Sequence, residues 1–89
     1  MEFVITDHAR FEAQRRNIDL HFVKSIIENP QQKVSSRRNR LVFQSKFYDK
    51  ILGKEMLMRV IVEQSGDILR VISIYKTSKI GRYWMKGGS

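Results

Sequence analysis

The sequence contains side chains of the types that transfer protons and hold phosphate oxygens. His8 is the first candidate acid or base, because Glu12 and Arg15 follow it on one face at helical spacing and a carboxylate tunes a neighbouring imidazole. Tyr75 or Tyr83 is a candidate second proton donor. A surface ion pair, or a hydrogen bond to backbone near a helix start, explains His8 equally well.

The run at residues 75–84 interleaves cations, hydroxyls and aromatic rings. This composition is typical of segments that contact phosphates while bases stack on rings. The alternative is a terminal segment in which Tyr83 and Trp84 cap the core, and Trp84 is assigned mainly to that structural role. The candidate RNA-binding residues of the run are Lys76, Thr77, Lys79 and Arg82.

Arginines supply further candidate phosphate ligands. Arg37, Arg38 and Arg40 crowd one loop, where they either grip phosphate or are simply solvated. Arg59 and Arg70 are candidate clamps for the charge of a phosphorane, because guanidinium binds phosphate oxygens in a fork. Together with groups that move protons, these side chains meet the needs of RNA cleavage without a metal.

Other chemistries find little support. His8 and His21, the two histidines, lie thirteen positions apart, and there is no cysteine, so we predict no metal site. The five glycines form no phosphate-cradling loop, so we predict no nucleotide cofactor. No apolar run is long enough to span a membrane. The lack of cysteine suits a reducing compartment, and we expect a cytoplasmic protein.

The charge of the chain is unevenly distributed. The net charge is +8, with −1 in residues 1–30 and +9 in residues 31–89. This asymmetry is typical of a nucleic-acid-binding protein or of a protein with an acidic partner. The alternative is a charge that serves only solubility.

A small set of elements must position these side chains. Thr6 or Asp7 can cap a helix that runs to about residue 16, and Asn17 suits the left-handed position at its end. Asp19 can cap a second helix, which has its apolar residues at helical spacing and ends before Pro30.

Four runs rich in β-branched and aromatic residues follow, at 33–35, 41–48, 55–63 and 68–76. Their short polar connections favour an antiparallel meander. The predicted fold class is therefore α+β, with two N-terminal helices packed on a four-stranded antiparallel sheet. We expect one domain at residues 1–85, with residues 86–89 a flexible tail or an expression scar.

The last predicted hairpin determines which residues share a face of the sheet. If its loop holds two or four residues, Arg59 lies on one face with Arg70 and Ile74. That face carries the side chains of Lys46, Tyr48, Arg59 and Arg70. It is either a binding surface or an ordinary solvated face. The opposite face should lie under the helices, and its apolar members are Met58, Val60, Val62, Leu69 and Val71.

Several short motifs resemble a family of small uncharacterised bacterial domains. The motifs are His8-Ala9, Arg16-Asn17-Ile18, Asn29-Pro30 and the strand at 70–77, and the resemblance spans roughly residues 6–78. That family resembles the RelE/BrnT-type toxins of toxin–antitoxin systems, small basic proteins with helices packed on an antiparallel sheet, many of them metal-independent ribonucleases. The resemblance implies a RelE-like architecture and a candidate active surface at His8, Arg16, Arg70 and Thr77. The sequence departs from the family pattern at Glu12, Arg15 and Asn17.

We therefore expect a toxin-like protein that binds RNA and cleaves it without a metal. One candidate ligand is ribosome-associated mRNA. The expected partner is an acidic antitoxin protein that inhibits the toxin. The predicted catalytic set is His8, Arg59, Arg70, Tyr75 and Tyr83. The predicted RNA-binding set is Arg16, Arg37, Arg38, Lys46, Lys76, Thr77, Lys79 and Arg82. The alternatives are a non-catalytic module that binds nucleic acid or an acidic protein, and a homodimeric interaction domain.

Overall fold

A computed structural model of the chain describes residues 2–86. Within that range the strands are β1 (Glu2–Ile5), β2 (Gln32–Ser35), β3 (Arg40–Asp49), β4 (Lys54–Ser65) and β5 (Ile68–Thr77). The helices are α1 (Asp7–Arg15), α2 (Leu20–Glu28) and α3 (Ile80–Tyr83). The two longer helices lie between β1 and β2 along the chain, and α3 follows β5. No helix in residues 2–86 is long and apolar enough to cross a membrane.

All five strands form one mixed sheet in the order β1-β5-β4-β3-β2. The antiparallel meander from β2 to β5 forms, but β1 adds a fifth strand that pairs in parallel with β5. The described chain also contains a third short helix. The predicted fold class, two N-terminal helices on a four-stranded antiparallel meander, is therefore wrong.

Strand β1 is not predicted from the sequence, because its local signal is short and its partner strand is remote. Its four residues include two partly buried side chains, Phe3 and Ile5, which pack against the core. Phe3 pairs with Leu69, and Thr6 continues the contact by donating its N–H to Val71 O at 3.1 Å. A four-residue run shows too little alternation to separate a strand from a loop, and it contains nothing that specifies this partner.

Both predicted helices form with the expected caps. Thr6 Oγ1 accepts the N–H of Ala9 at 3.2 Å at the start of α1, and Asn17 follows the helix at a φ of 60°. Asp19 Oδ1 accepts the N–H of His21 at 2.8 Å at the start of α2. From these starts, α1 packs on β5 and α2 packs on β3 and β4.

The hydrophobic core lies between these two helices and one side of the sheet, which we call the helix-covered face. The strands contribute Phe43, Met58, Val60, Val62, Leu69, Val71 and Ile74 to it. The apolar set predicted for this face is confirmed. On β3 and β4, residues that alternate with the core residues point to the other side, which we call the open face.

A β-bulge between β4 and β5 corrects one part of the predicted register. Pairing next to the turn is the expected one, but the register shifts by one residue between Ile61 and Val62. A one-residue shift moves the following side chains to the opposite face. Ile74 consequently lies opposite Val60 and is fully buried in the core. The expectation that Ile74 shares the face of Arg59 is wrong.

Candidate nucleic-acid interface

A row of four polar side chains crosses the open face from strand to strand. Gln32 of β2 pairs with Gln44 of β3, Gln44 pairs with Arg59 of β4, and Arg59 pairs with Tyr75 of β5. Residues that pair directly point to the same side of a sheet. These four side chains, which we call the polar row, are therefore neighbours.

Hydrogen bonds join the polar row from end to end. Gln44 Nε2 donates to Gln32 Oε1 at 2.8 Å. Arg59 donates from Nε to Gln44 Oε1 at 2.9 Å and from Nη1 to the Tyr75 hydroxyl at 2.6 Å. Gln44 is fully buried, and within residues 2–86 every buried polar side-chain atom has a partner. The Arg59 guanidinium is thus held in one orientation from both sides.

Residues 79–86, which we call the C-terminal segment, lie against the polar row. Gln32 exchanges two hydrogen bonds with the backbone of Met85, donating at 2.8 Å and accepting at 3.0 Å. Gln44 Nε2 also donates to Tyr83 O at 3.2 Å. The segment therefore satisfies amide groups that would be costly to leave buried without partners.

Cations stack on aromatic rings where the C-terminal segment meets the sheet. Arg59 Cζ lies 4.1 Å from the centroid of the Tyr83 ring, and Lys46 Nζ lies 4.1 Å from the centroid of the Trp84 ring. Arg82 Cζ is 5.6 Å from the same Tyr83 centroid. The tyrosine and tryptophan thus cover part of the open face, and neither belongs to the hydrophobic core cluster of the described chain.

Arg59 and Lys46 form no ion pair with an acid in the part of the chain that the structure describes. Across residues 2–86, no Asp or Glu oxygen lies within 4.0 Å of either side chain. Arg59 uses two of its N–H donors in the polar row, and a guanidinium has about five. Arg59 is half-buried rather than fully buried, so part of its side chain remains open to solvent.

Arg70 lies on the open face, as predicted, but at a distance from Arg59. It pairs with Glu63, and its Nη1 donates to Glu63 Oε1 at 3.1 Å. Glu63 is four residues beyond Arg59 on β4, which corresponds to about 13 Å along the strand. The two arginines therefore have different partners and do not face one phosphate together.

His8 lies in the helical layer, on the other side of the sheet from the polar row. Its side chain is 69% exposed, and its Nε2 is 3.6 Å from Glu12 Oε1. Arg16, not Arg15, is the arginine beside Glu12, with its Nη2 3.9 Å from Glu12 Oε2. The predicted catalytic set is thus divided between sites, and the members that the fold brings together are Arg59, Tyr75 and Tyr83.

Glu12 reaches from α1 to the sheet, a contact that the sequence analysis misses. Its side chain is 13% exposed, and its Oε1 accepts the Ser73 hydroxyl at 3.0 Å and the Ile74 N–H at 3.4 Å. Both donors adjoin the β-bulge, where the ladder of strand hydrogen bonds is locally disrupted. No sequence pattern predicts the bulge. The hydrogen bonds of Glu12 to Ser73 and Ile74 therefore cannot be predicted from the sequence either.

Lys76, a predicted RNA-binding residue, forms an ion pair with the buried Asp49. Its Nζ donates to Asp49 Oδ2 at 2.8 Å, while Asp49 Oδ1 accepts the N–H groups of Ile51 and Leu52 at 3.0 Å each. The hydrogen bond from Lys76, and then that from the Leu52 N–H, hold the pKa of the Asp49 carboxyl below its ordinary value. Lys76 therefore anchors the turn between β3 and β4.

The other predicted RNA-binding residues occupy several places. Thr77 Oγ1 accepts the N–H of Lys79 at 3.1 Å where β5 leads into the C-terminal segment. Arg37 and Arg38 are exposed in the loop between β2 and β3. Within residues 2–86, no three His, Asp or Glu side chains gather as they would to hold a metal ion.

Gln32 and Gln44 are the site residues that sequence reasoning misses. Strand alternation indicates that Gln44 shares a face with Lys46, but a glutamine in a strand carries no functional signal by itself. Its role becomes visible only when the register places it between Gln32 and Arg59.

Comparison with known proteins shows the family of the chain. No curated protein and no solved structure matches it. Residues 5–76 match a family described as a domain of unknown function, DUF4258. That match covers the polar row and ends before the C-terminal segment, and nothing in it links the family to the RelE/BrnT-type toxins. Because it extends over most of the sequence, the chain belongs to the DUF4258 family.

Proposed function

We propose that this protein binds single-stranded RNA on the open face of its sheet, around Arg59. The observation that carries this proposal is the state of Arg59: a half-buried guanidinium, oriented by Gln44 and Tyr75 and stacked on Tyr83, with no carboxylate beside it in the described chain. A guanidinium that is held in place and not neutralised is well suited to bind a phosphate group.

The neighbouring side chains support a single-stranded ligand. Tyr83 and Trp84 are half-buried, so each residue keeps some exposed surface beside the polar row, and base–ring stacking is how proteins hold unpaired nucleotides. Lys46 adds a second cation beside them. The net charge of +8 provides the long-range attraction that such binding requires.

A charge-conserving pair of variants tests the proposal. Arg59→Lys keeps the net charge but loses the guanidinium fork, and Arg10→Lys makes the same change at an exposed position of α1. We expect Arg59→Lys to bind a labelled single-stranded RNA about tenfold more weakly in fluorescence anisotropy, a loss of about 1.4 kcal/mol in binding free energy. Arg10→Lys should bind like the wild type. Equal affinities for both variants, with circular dichroism showing both folded, would contradict the proposal.

RNA cleavage is the second candidate function, favoured by the hydrogen bond of 2.6 Å between Arg59 and the Tyr75 hydroxyl. A phenol beside a cation can donate a proton to a leaving oxygen while the cation stabilises the phosphorane. On the sequence resemblance to RelE/BrnT-type toxins, we propose that such a ribonuclease would act in a toxin–antitoxin system, with an acidic antitoxin as its partner. His8 lies on α1, on the other side of the sheet from Arg59 and Tyr75, so it does not serve this site.

Tyr75→Phe separates binding from cleavage. If the protein is a metal-independent ribonuclease, the wild type should degrade RNA in the presence of a chelator, and Tyr75→Phe should cleave about 100-fold more slowly. RNA affinity should fall far less than this, because Gln44 still orients the Arg59 guanidinium. A wild type that binds RNA and leaves it intact would support the non-catalytic binding module instead. A wild type that binds only an acidic protein would contradict both RNA functions.

A further inference from the structure

The loop between β2 and β3 is a strained turn that carries Arg37 and Arg38, and Arg40 begins β3 directly after it. Ser36 N donates to Arg40 O at 2.9 Å, and Arg40 N donates to Arg37 O at 3.1 Å. Arg38 has a φ of 58°, a left-handed conformation that a side chain with a β-carbon disfavours. Strain of this kind concentrates at sites where a fixed backbone serves a function. The loop therefore presents its arginines from a defined backbone.

Arg37, Arg38 and Arg40 line one surface pocket of about 190 Å³. Throughout residues 2–86, no acidic oxygen lies within 4.0 Å of Arg37 or Arg38. Arg40 Nε is 3.9 Å from Glu63 Oε2, but Glu63 makes its closer contact, at 3.1 Å, with Arg70. Three arginine residues thus line one pocket, and the only acid near them in residues 2–86 is Glu63, which Arg40 shares with Arg70. Repulsion among the three positive charges favours binding of an anion.

We propose that this pocket binds a phosphomonoester group. A phosphomonoester carries a charge of about −1.5 to −2 at neutral pH and offers three terminal oxygens, which suits a pocket lined by three arginines. An internal phosphodiester of RNA carries one charge and two such oxygens, so it could not engage three arginines as fully. On the proposed function, on which this step rests, the group is the terminal phosphate of a bound RNA.

The position of the pocket fits an RNA that runs along the open face. Arg40 lies on the same side of β3 as Gln44 and Lys46, because each is an even number of residues from the next. Six residues separate Arg40 from Lys46, or about 20 Å of strand. About six stacked nucleotides, at ~3.4 Å each, cover this distance. An RNA whose phosphorylated end occupies the pocket therefore reaches the polar row and Trp84.

Three RNA hexamers of one sequence test the proposal: one with a 5′-phosphate, one with a 3′-phosphate and one with hydroxyls at both ends. We expect the wild type to bind one phosphorylated hexamer at least tenfold more tightly than the hydroxyl form, and the preferred end gives the polarity of the strand. Arg37→Ala/Arg38→Ala should remove this preference. Lys50→Ala/Lys54→Ala, which removes the same charge near the opposite hairpin turn, should keep it.

Arg38→Gly tests whether a loss of the preference in the alanine variants comes from an unfolded loop rather than from the missing guanidinium groups. Glycine accepts a positive φ without strain, so this variant keeps the backbone conformation while it removes one guanidinium, and we expect a partial loss of the preference. If all three hexamers bind the wild type equally, the pocket proposal is wrong even though RNA binding stands. The proposal is also wrong if the arginine variants weaken binding of the hydroxyl form as much as that of the phosphorylated forms, since the pocket then holds internal phosphates.

A titration with inorganic phosphate separates this inference from the proposed function. In NMR spectra of the wild type, phosphate should shift the amide signals of residues 36–40, and an equal concentration of chloride should not. If the protein binds no RNA while phosphate shifts these signals, the proposed function fails and the phosphate pocket stands. If phosphate leaves these signals unchanged, the pocket proposal is overturned.

Discussion

The orientation of Arg59 depends most directly on Gln44. The buried amide accepts a hydrogen bond from Arg59 and donates to both Gln32 and the backbone of Tyr83. Gln44→Leu keeps most of the volume but leaves these three groups without their partner. We expect it to lower the free energy of unfolding by about 2 kcal/mol, the typical cost of unsatisfied buried polar groups, as measured by urea denaturation. A neutral effect would show that water replaces the amide at no cost.

Asp49 should make the stability of the protein depend on pH. The hydrogen bond from Lys76 holds the folded-state pKa of Asp49 below its ordinary value of 3.8. The resulting stabilisation is complete above the unfolded-state pKa and is lost as the pH falls through the folded-state pKa. We expect the urea midpoint of the wild type to fall below about pH 4.

Asp49→Asn provides the control for this pH dependence. The amide cannot ionise, so the variant should be less stable than the wild type at pH 7, and its urea midpoint should decline less steeply in acid. Parallel declines for both proteins would indicate that other carboxyl groups cause the acid dependence.

At the scale of elements, the C-terminal segment contributes to the open face but not to the core. Its contacts are with Gln32, Gln44, Arg59 and Lys46, whereas the core cluster contains none of its residues. A chain that ends after Ser78 should therefore keep its sheet and helices. We expect it to lose about 3 kcal/mol of stability, since three hydrogen bonds to the segment are worth about 1 kcal/mol each.

Hydrogen exchange and circular dichroism check this prediction. The far-ultraviolet spectrum should show a folded chain, while the amides of β2 and β3 near Gln32 and Gln44 should exchange faster than in the full chain. Complete unfolding of the shortened chain would contradict the assignment, because it would make the segment part of the folding core.

The sequence predicts the elements that have strong local signals. The caps Thr6 and Asp19 and the left-handed Asn17 mark the ends of α1 and α2, and alternation marks β3, β4 and β5 close to their observed bounds. Strand β1 and the bulge escape prediction because both depend on pairing between distant segments. Part of the polar row cannot be predicted for the same reason, because Arg59 and Tyr75 become partners only through the register shift.

At the scale of the whole molecule, the excess of positive charge should control RNA affinity through salt. If four to six phosphates are neutralised, the logarithm of the association constant should fall by about 3 to 4 for each tenfold rise in salt, at ~0.7 per contact. Anisotropy titrations with single-stranded RNA between 50 and 500 mM potassium chloride (~10-fold) measure this slope. A flat response would contradict binding through phosphates.

The parallel pairing of β1 with β5 constrains the order in which the chain can fold. Phe3 and Leu69, which pair across this junction, are far apart in sequence, so closing this contact costs more chain entropy than closing any hairpin of the meander. During synthesis β1 leaves the ribosome long before its partner exists, and the meander can assemble first. Until β1 docks, one edge of β5 carries unpaired N–H and C=O groups, the kind of edge that recruits strands from other molecules. Late docking of β1 is therefore the step at which this small protein is most exposed to aggregation.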